Sequence, residues 1–143
     1  MAHDYKKQGK TNRRKGGDWE REVKADLESE GWIVEKFGNK VDLFTQGDEV
    51  IGGEFIKAKP YMIRGRGMML GAGFPDFLCF KPSPQGQPHE IMFIECKING
   101  TLSKEEKQRM AWLESEGYCC WVAGKDEFDC VELSKPKKTR GAT

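Results

Sequence analysis

The sequence contains only two histidines, His3 and His89, and none of its five cysteines forms a Cys-x-x-Cys pair. An odd thiol count without such a pair argues against a disulfide framework, and so few imidazoles argue against a zinc centre. Cys79, Cys96, Cys119, Cys120 and Cys130 lie in or near apolar, strand-like stretches and read as buried, reduced thiols. No apolar run approaches the length of a membrane span, and the N-terminus is basic and polar rather than built like a signal peptide. The expectation is a soluble protein without membrane association, in the cytoplasm of a prokaryotic or phage-infected cell. With 143 residues, 37% of them apolar and 33% charged, the chain has room for one core and not two.

Acid and base are segregated along the chain, although the net charge is only +1. Lys6, Lys7, Lys10, Arg13, Arg14 and Lys15 crowd the N-terminal end against a single acid, Asp4. Lys135, Lys137, Lys138 and Arg140 crowd the C-terminal end with no acid among them. The middle therefore carries a surplus of negative charge. Basic ends of this kind serve either as arms on a nucleic-acid backbone or as solvated tails. The expected organisation is a basic flexible arm over 1–17, one domain over 18–133, and a basic tail over 134–143.

Within the domain, Asp18 is placed to cap a helix in which Trp19, Val23 and Leu27 recur at four-residue spacing, with Gly31 as its stop. Trp32 to Val34 reads as a short strand leading to Phe37. Val41-Asp42-Leu43-Phe44 and Glu54-Phe55-Ile56 are candidate strand segments. The run from Arg64 to Gly73, with Arg64 and Arg66 among glycines, reads as a flexible basic loop suited to closing over a substrate backbone. Phe77 to Phe80 and Ile91 to Ile94 flank a proline-rich turn and predict a hairpin. Ser103 caps a second helix with Glu106 as its capping-box partner, Met110 and Leu113 on its apolar face, and Gly117 at its end. Tyr118 to Ala123 predicts a buried strand, and Cys130 to Leu133 a last edge strand. Helix, strands, helix, strand is the order of an α/β fold with a mixed central sheet flanked by helices.

Chemistry concentrates in Gly73-Phe74-Pro75-Asp76 and Ile94-Glu95-Cys96-Lys97. Alternation along a strand puts Glu95 and Lys97 on one face and Ile94 and Cys96 on the other. Charged residues directly after four apolar strand positions cost stability unless a site uses them. Asp76 opens the partner strand of the hairpin, so the two carboxylates are expected to meet at one end of the sheet. Asp76, Glu95 and the backbone carbonyl of Cys96 form a hard oxygen set suited to Mg²⁺, with Mn²⁺ as a substitute. Such an ion activates a phosphodiester, and Lys97 would orient or deprotonate the attacking water or neutralise developing charge. Asp42 with Glu54 is a second acidic pair, but it has no lysine two residues after the glutamate, and Lys57 falls on the opposite strand face.

These words resemble the PD-(D/E)XK nuclease superfamily, with Pro75-Asp76 and Glu95-Cys96-Lys97 as the two halves of its motif. The resemblance implies a restriction-endonuclease-like sheet and metal-dependent cleavage of DNA. Residues 14–34, with Arg14-Lys15-Gly16 followed by Glu20-Arg21-Glu22-Val23, resemble the opening of archaeal-type Holliday junction resolvases. That likeness implies Glu20 as a further catalytic and metal-site carboxylate and Arg21 beside the phosphate. Residues 71–123 are similar to VRR-NUC nucleases, through Gly-Phe-Pro-Asp, Glu-x-Lys and the Thr101-Leu102-Ser103 opening of the second helix. Here Glu106 or Gln108 stands where VRR-NUC domains usually carry glutamine. The functional expectation is a homodimeric nuclease cutting four-way DNA junctions, with Arg13, Arg14, Lys15, Arg21, Arg64 and Arg66 on the DNA backbone. A VRR-NUC-like nuclease on flaps and a non-catalytic DNA-binding module are the alternatives.

Overall fold

The computed structural model describes residues 5–57, 60–65, 67–70, 73–85 and 89–136. Helix α1 (Tyr5–Ser29) is followed by β1 (Ile33–Lys36), β2 (Asn39–Gln46), β3 (Glu49–Lys57), β4 (Pro60–Ile63), β5 (Gly67–Leu70), β6 (Phe77–Lys81) and β7 (Glu90–Cys96). Helix α2 (Lys104–Ser115), β8 (Cys120–Lys125) and β9 (Val131–Ser134) complete the order. Five strands form one mixed sheet in the order β1-β6-β7-β8-β9. The β7–β8 pair is parallel and spans the crossover through α2, whereas the other three pairings are antiparallel. β2–β3 and β4–β5 are separate antiparallel hairpins.

The two helices serve opposite faces of the sheet. Trp19, Val23 and Leu27 of α1 pack with Val34, Phe77, Cys79, Met92 and Ile94. Met110 and Leu113 of α2 pack with Phe37, Val41, Phe74, Phe93 and Val122. Ile94 and Phe93, adjacent in β7, thus belong to different layers, as strand alternation requires. The Trp19 indole N–H donates to the Ala123 carbonyl at 3.0 Å, tying α1 to the middle of β8. Hairpin β2–β3 lies on the α2 side, where Phe55 packs edge-on against Phe37, Trp112 and Tyr118.

Both helices stop as their sequences dictate. Gly31 (φ +93°) and Gly117 (φ +94°) take the left-handed conformation that an L side chain resists. Trp32 N–H then reaches the Leu27 carbonyl at 3.1 Å, and Tyr118 N–H the Leu113 carbonyl at 3.0 Å. The capping box of α2 is complete, with Glu106 N–H donating to Ser103 Oγ and Ser103 N–H to Glu106 Oε1.

Three expectations need correction. The first helix begins at Tyr5, not Asp18, so residues 5–17 belong to α1 rather than to a flexible arm. Lys, Gln and Arg are good helix formers, and Gly16-Gly17 weaken the helix without breaking it. Asp18 consequently sits inside the helix, where it pairs with Arg21 instead of capping. The stretch read as a basic loop holds the turn and second strand of hairpin β4–β5, with Gly65 (φ +83°) in the turn. Cys79 and Cys120 are buried, but Cys119 and Cys130 are exposed, because each lies just outside a strand. Lys135, at the start of the segment read as a basic tail, pairs with Glu114 at 3.3 Å and stands 4.4 Å from the Trp121 ring centre.

Candidate active site

The ends of β1, β6 and β7 and the second half of α1 converge at one edge of the sheet. Gly73 makes this convergence possible: a Cβ there would stand 1.8 Å from the Phe37 carbonyl oxygen. The Phe74–Pro75 peptide that follows is cis. Beyond it, Asp76 prolongs the β1–β6 ladder, its carbonyl accepting from Phe37 N–H at 2.9 Å. Its side chain turns to β7, where Oδ2 accepts from Cys96 N–H at 2.8 Å. Cys96 thus enters the site through its backbone.

Glu95 is 5% exposed and is the buried charged side chain among the described residues. Its carboxyl lies within hydrogen-bonding reach of Asp76, and burial together with that neighbour pushes its pKa up to about 10. Its Oε2 is buried with no hydrogen-bond partner among the described residues. A buried acceptor left open in this way is costly unless something occupies it. Glu20 reaches Asp76 from α1 on the other layer, and burial followed by the Asp76 charge raises its pKa as well. Asp76 therefore stands between two acids contributed by opposite sides of the sheet. These contacts are pairwise, and among the described residues no group of three or more His, Cys, Asp or Glu side chains is placed to hold a metal ion.

Lys97 follows Glu95 at the i+2 position, and its Nζ lies 2.9 Å from Glu106 Oε2. Burial opposes its ammonium form, but the Glu106 hydrogen bond and the charges of Glu106, Glu95 and Asp76 leave its pKa raised. Burial also opposes the charged form of Glu106, and the Ser103 N–H and Lys97 bonds outweigh it, leaving its pKa lowered. Glu106 as the ionic partner of Lys97 was not foreseen in the sequence. Its capping-box spacing was visible, but that motif accounts for only one of its oxygens.

An open cleft of about 440 Å³ borders Glu20 of the three acids, with Lys15, Cys96 and Lys97 also in its walls. Of the expected DNA-contacting cations, Lys15 borders this cleft, whereas Arg21 points to solvent, 72% exposed and paired with Asp18. Arg64 is exposed in the β4–β5 turn. Arg66 lies outside the described residues, and of Arg13 and Arg14 only the helical backbone is described. Asp42 and Glu54 face each other across β2–β3, both exposed, on a hairpin outside the five-stranded sheet. Compared with known proteins, the chain matches no family model, no curated protein and no solved structure.

Proposed function

We propose that this chain is a magnesium-dependent endodeoxyribonuclease with a restriction-endonuclease-like core, acting on branched DNA. The observation that carries the reading is the meeting of Glu20, Asp76 and Glu95 at one sheet end, with Lys97 on the same strand as Glu95. The order α1-β1-β6-β7-α2-β8, with its parallel β7–β8 pair, agrees with that core.

The chemistry of the donors, though not yet their spacing, suits a hard divalent cation. Carboxylates are the ligands such ions prefer, and Glu95 Oε2 is a buried oxygen still open to a partner. Asp76 and Glu95 would hold the ion, with Glu20 and the Cys96 carbonyl completing the set. When bound, it supplies the positive charge and the water activation that phosphodiester hydrolysis requires. The protein's own residues do the remaining work. Cys96 N–H fixes the Asp76 carboxylate between Glu20 and Glu95. Lys97 offers N–H donors to a phosphate oxygen or an attacking water. Lys15 steers the strand along the cleft.

The position of Glu20 beside Asp76 is what the resemblance to archaeal-type resolvases implies, and it favours the four-way junction as substrate. A homodimer would place one such site on each of two symmetric strands. The Ser103-capped α2 that ends at Gly117 favours a VRR-NUC-like enzyme on flaps as the second reading. Incubation with a four-way junction, a flap and a linear duplex in Mg²⁺ separates these readings. Paired symmetric nicks in the junction alone are expected. Equal cutting of linear duplex defeats the junction assignment, and no cleavage with Mg²⁺ or Mn²⁺ defeats the nuclease.

A further inference from the structure

The start of α2 and the Lys97 ammonium meet on one side chain. Glu106 Oε1 accepts from Ser103 N–H at 2.8 Å, and Glu106 Oε2 lies 2.9 Å from Lys97 Nζ. The reciprocal arm of the capping box, from Glu106 N–H to Ser103 Oγ at 3.2 Å, fastens the first turn of the helix. Both carboxylate oxygens are therefore committed, each to a donor from a different part of the chain. The pair is partly shielded, with side chains 33% and 16% exposed, so solvent screens it less than an ordinary surface pair.

A neutral amide cannot replace this arrangement. Glutamine has one acceptor oxygen, so satisfying Ser103 N–H would turn its NH₂ group toward the ammonium. Aspartate is one methylene too short to span the same two donors. Lysine itself carries its charge on a flexible four-carbon stem and does not fix its own position. We infer that Glu106 is a positioning residue, which couples the capped N-terminus of α2 to Lys97 and holds the ammonium beside Asp76 and Glu95. The place of the positive charge is then set by the helix start. The geometric part of this inference stands by itself, and its kinetic consequence rests on the proposed nuclease function.

Three variants of the full chain separate positioning from capping. Ser103→Ala removes the hydroxyl arm and leaves both donors to the Glu106 carboxylate in place. Glu106→Gln keeps the bond from Ser103 N–H and loses the charged contact to Lys97, while Glu106→Ala loses both. Lys97 is read directly by acylating the folded protein with an amine reagent and following the modified peptide by mass spectrometry. Lys97 is expected to label about fivefold faster or more in both Glu106 variants, because its amine is no longer held in a charge-assisted hydrogen bond, and at the wild-type rate in Ser103→Ala. On a four-way junction with Mg²⁺, kcat is expected to fall about tenfold in Glu106→Gln, with KM within about twofold of wild type. Unchanged Lys97 labelling in both Glu106 variants overturns the positioning role, whatever the cleavage assay gives. Equal acceleration in Ser103→Ala also overturns it, since fraying of the cap would then be the cause. Faster labelling confined to the Glu106 variants supports the role even where the wild type cuts no DNA, an outcome that defeats the nuclease proposal alone.

Discussion

Asp76 is held from two directions, its Oδ2 accepting from Cys96 N–H at 2.8 Å while its own carbonyl accepts from Phe37 N–H at 2.9 Å. One residue thus joins the ends of β1, β6 and β7. Asparagine retains an acceptor oxygen for Cys96 N–H but lacks the charge needed to bind a divalent cation. Asp76→Asn should therefore fold and bind junction DNA with unchanged affinity while losing cleavage, as read by a gel assay beside fluorescence anisotropy. Asp76→Ala, which strands the Cys96 N–H, should in addition lose about 1–3 kcal/mol of stability. Residual cutting by the asparagine variant at more than a few percent of wild type would count against Asp76 as a metal ligand.

The elevated pKa of Glu95 carries a signed consequence. Its folded value of about 10 exceeds its ordinary 4.5, so between these limits the folded state holds a proton that the unfolded state releases. Stability must then decline as pH rises through that window, by up to about 1.4 kcal/mol per pH unit from this group. Glu95→Gln should flatten the slope and be the more stable protein at neutral pH. Urea titrations between pH 5 and 9 check this, and parallel slopes for the two proteins would refute it. Millimolar Mg²⁺ should reduce the wild-type slope by stabilising the ionised carboxylate, and should leave the glutamine variant unaffected.

Gly73 and Gly16 should respond to alanine in opposite senses. At Gly73 the added methyl would meet the Phe37 backbone oxygen at 1.8 Å, and a backbone atom inside the sheet cannot yield cheaply. Gly73→Ala should cost at least the upper part of the range of about 1–3 kcal/mol usual for overpacking, and should lower cleavage by displacing Asp76. Gly16 lies in α1, and a Cβ there meets nothing within 4 Å. Gly16→Ala should raise stability by about 0.5–1 kcal/mol through its helix preference. Thermal melts of the two variants against wild type decide both signs.

Trp19 binds α1 to β8 through the bond from its indole N–H to Ala123. Trp19→Phe removes that donor inside the core and should cost about 1–3 kcal/mol. Because the adjacent Glu20 depends on this docking, cleavage should fall further than the loss of folded protein explains. Activity normalised to the folded fraction by circular dichroism tests the point. A proportional fall would mean that Glu20 is placed independently of Trp19.

Lys15 borders the cleft and should contact backbone phosphate rather than bases. Lys15→Ala should weaken binding by a similar factor on junctions of unrelated sequence and lower the salt slope of the affinity by about one. A loss confined to one sequence would contradict this role.

Much of the fold is legible in the sequence. Hydrophobic spacing located the apolar stripe of α1, and alternation set Ile94 on the face opposite Glu95, the face that packs on α1. Gly31, Gly117 and the Ser103–Glu106 box marked three helix ends because each is a local backbone requirement. The N-terminal half of α1 was missed because glycine and lysine resemble a linker when helix preference is not summed along the segment. The β4–β5 hairpin was missed because its glycines also suit a loop. Exposed Cys119 and Cys130 were misjudged because an apolar neighbourhood in sequence does not reveal where a strand ends.

The sequence by itself determined the residues able to do chemistry and the strand face that Glu95 and Lys97 share, since both follow from residue type and a two-residue period. It also brought Asp76 to the head of the strand paired with β7, which begins one residue later at Phe77. Only the tertiary structure decided that Glu20 comes to Asp76 from the far layer, that the Cys96 N–H donates to Asp76, and that Glu106 turns its second oxygen to Lys97. Those relationships join elements distant along the chain. They depend on how helices dock on the sheet, and no local period encodes that.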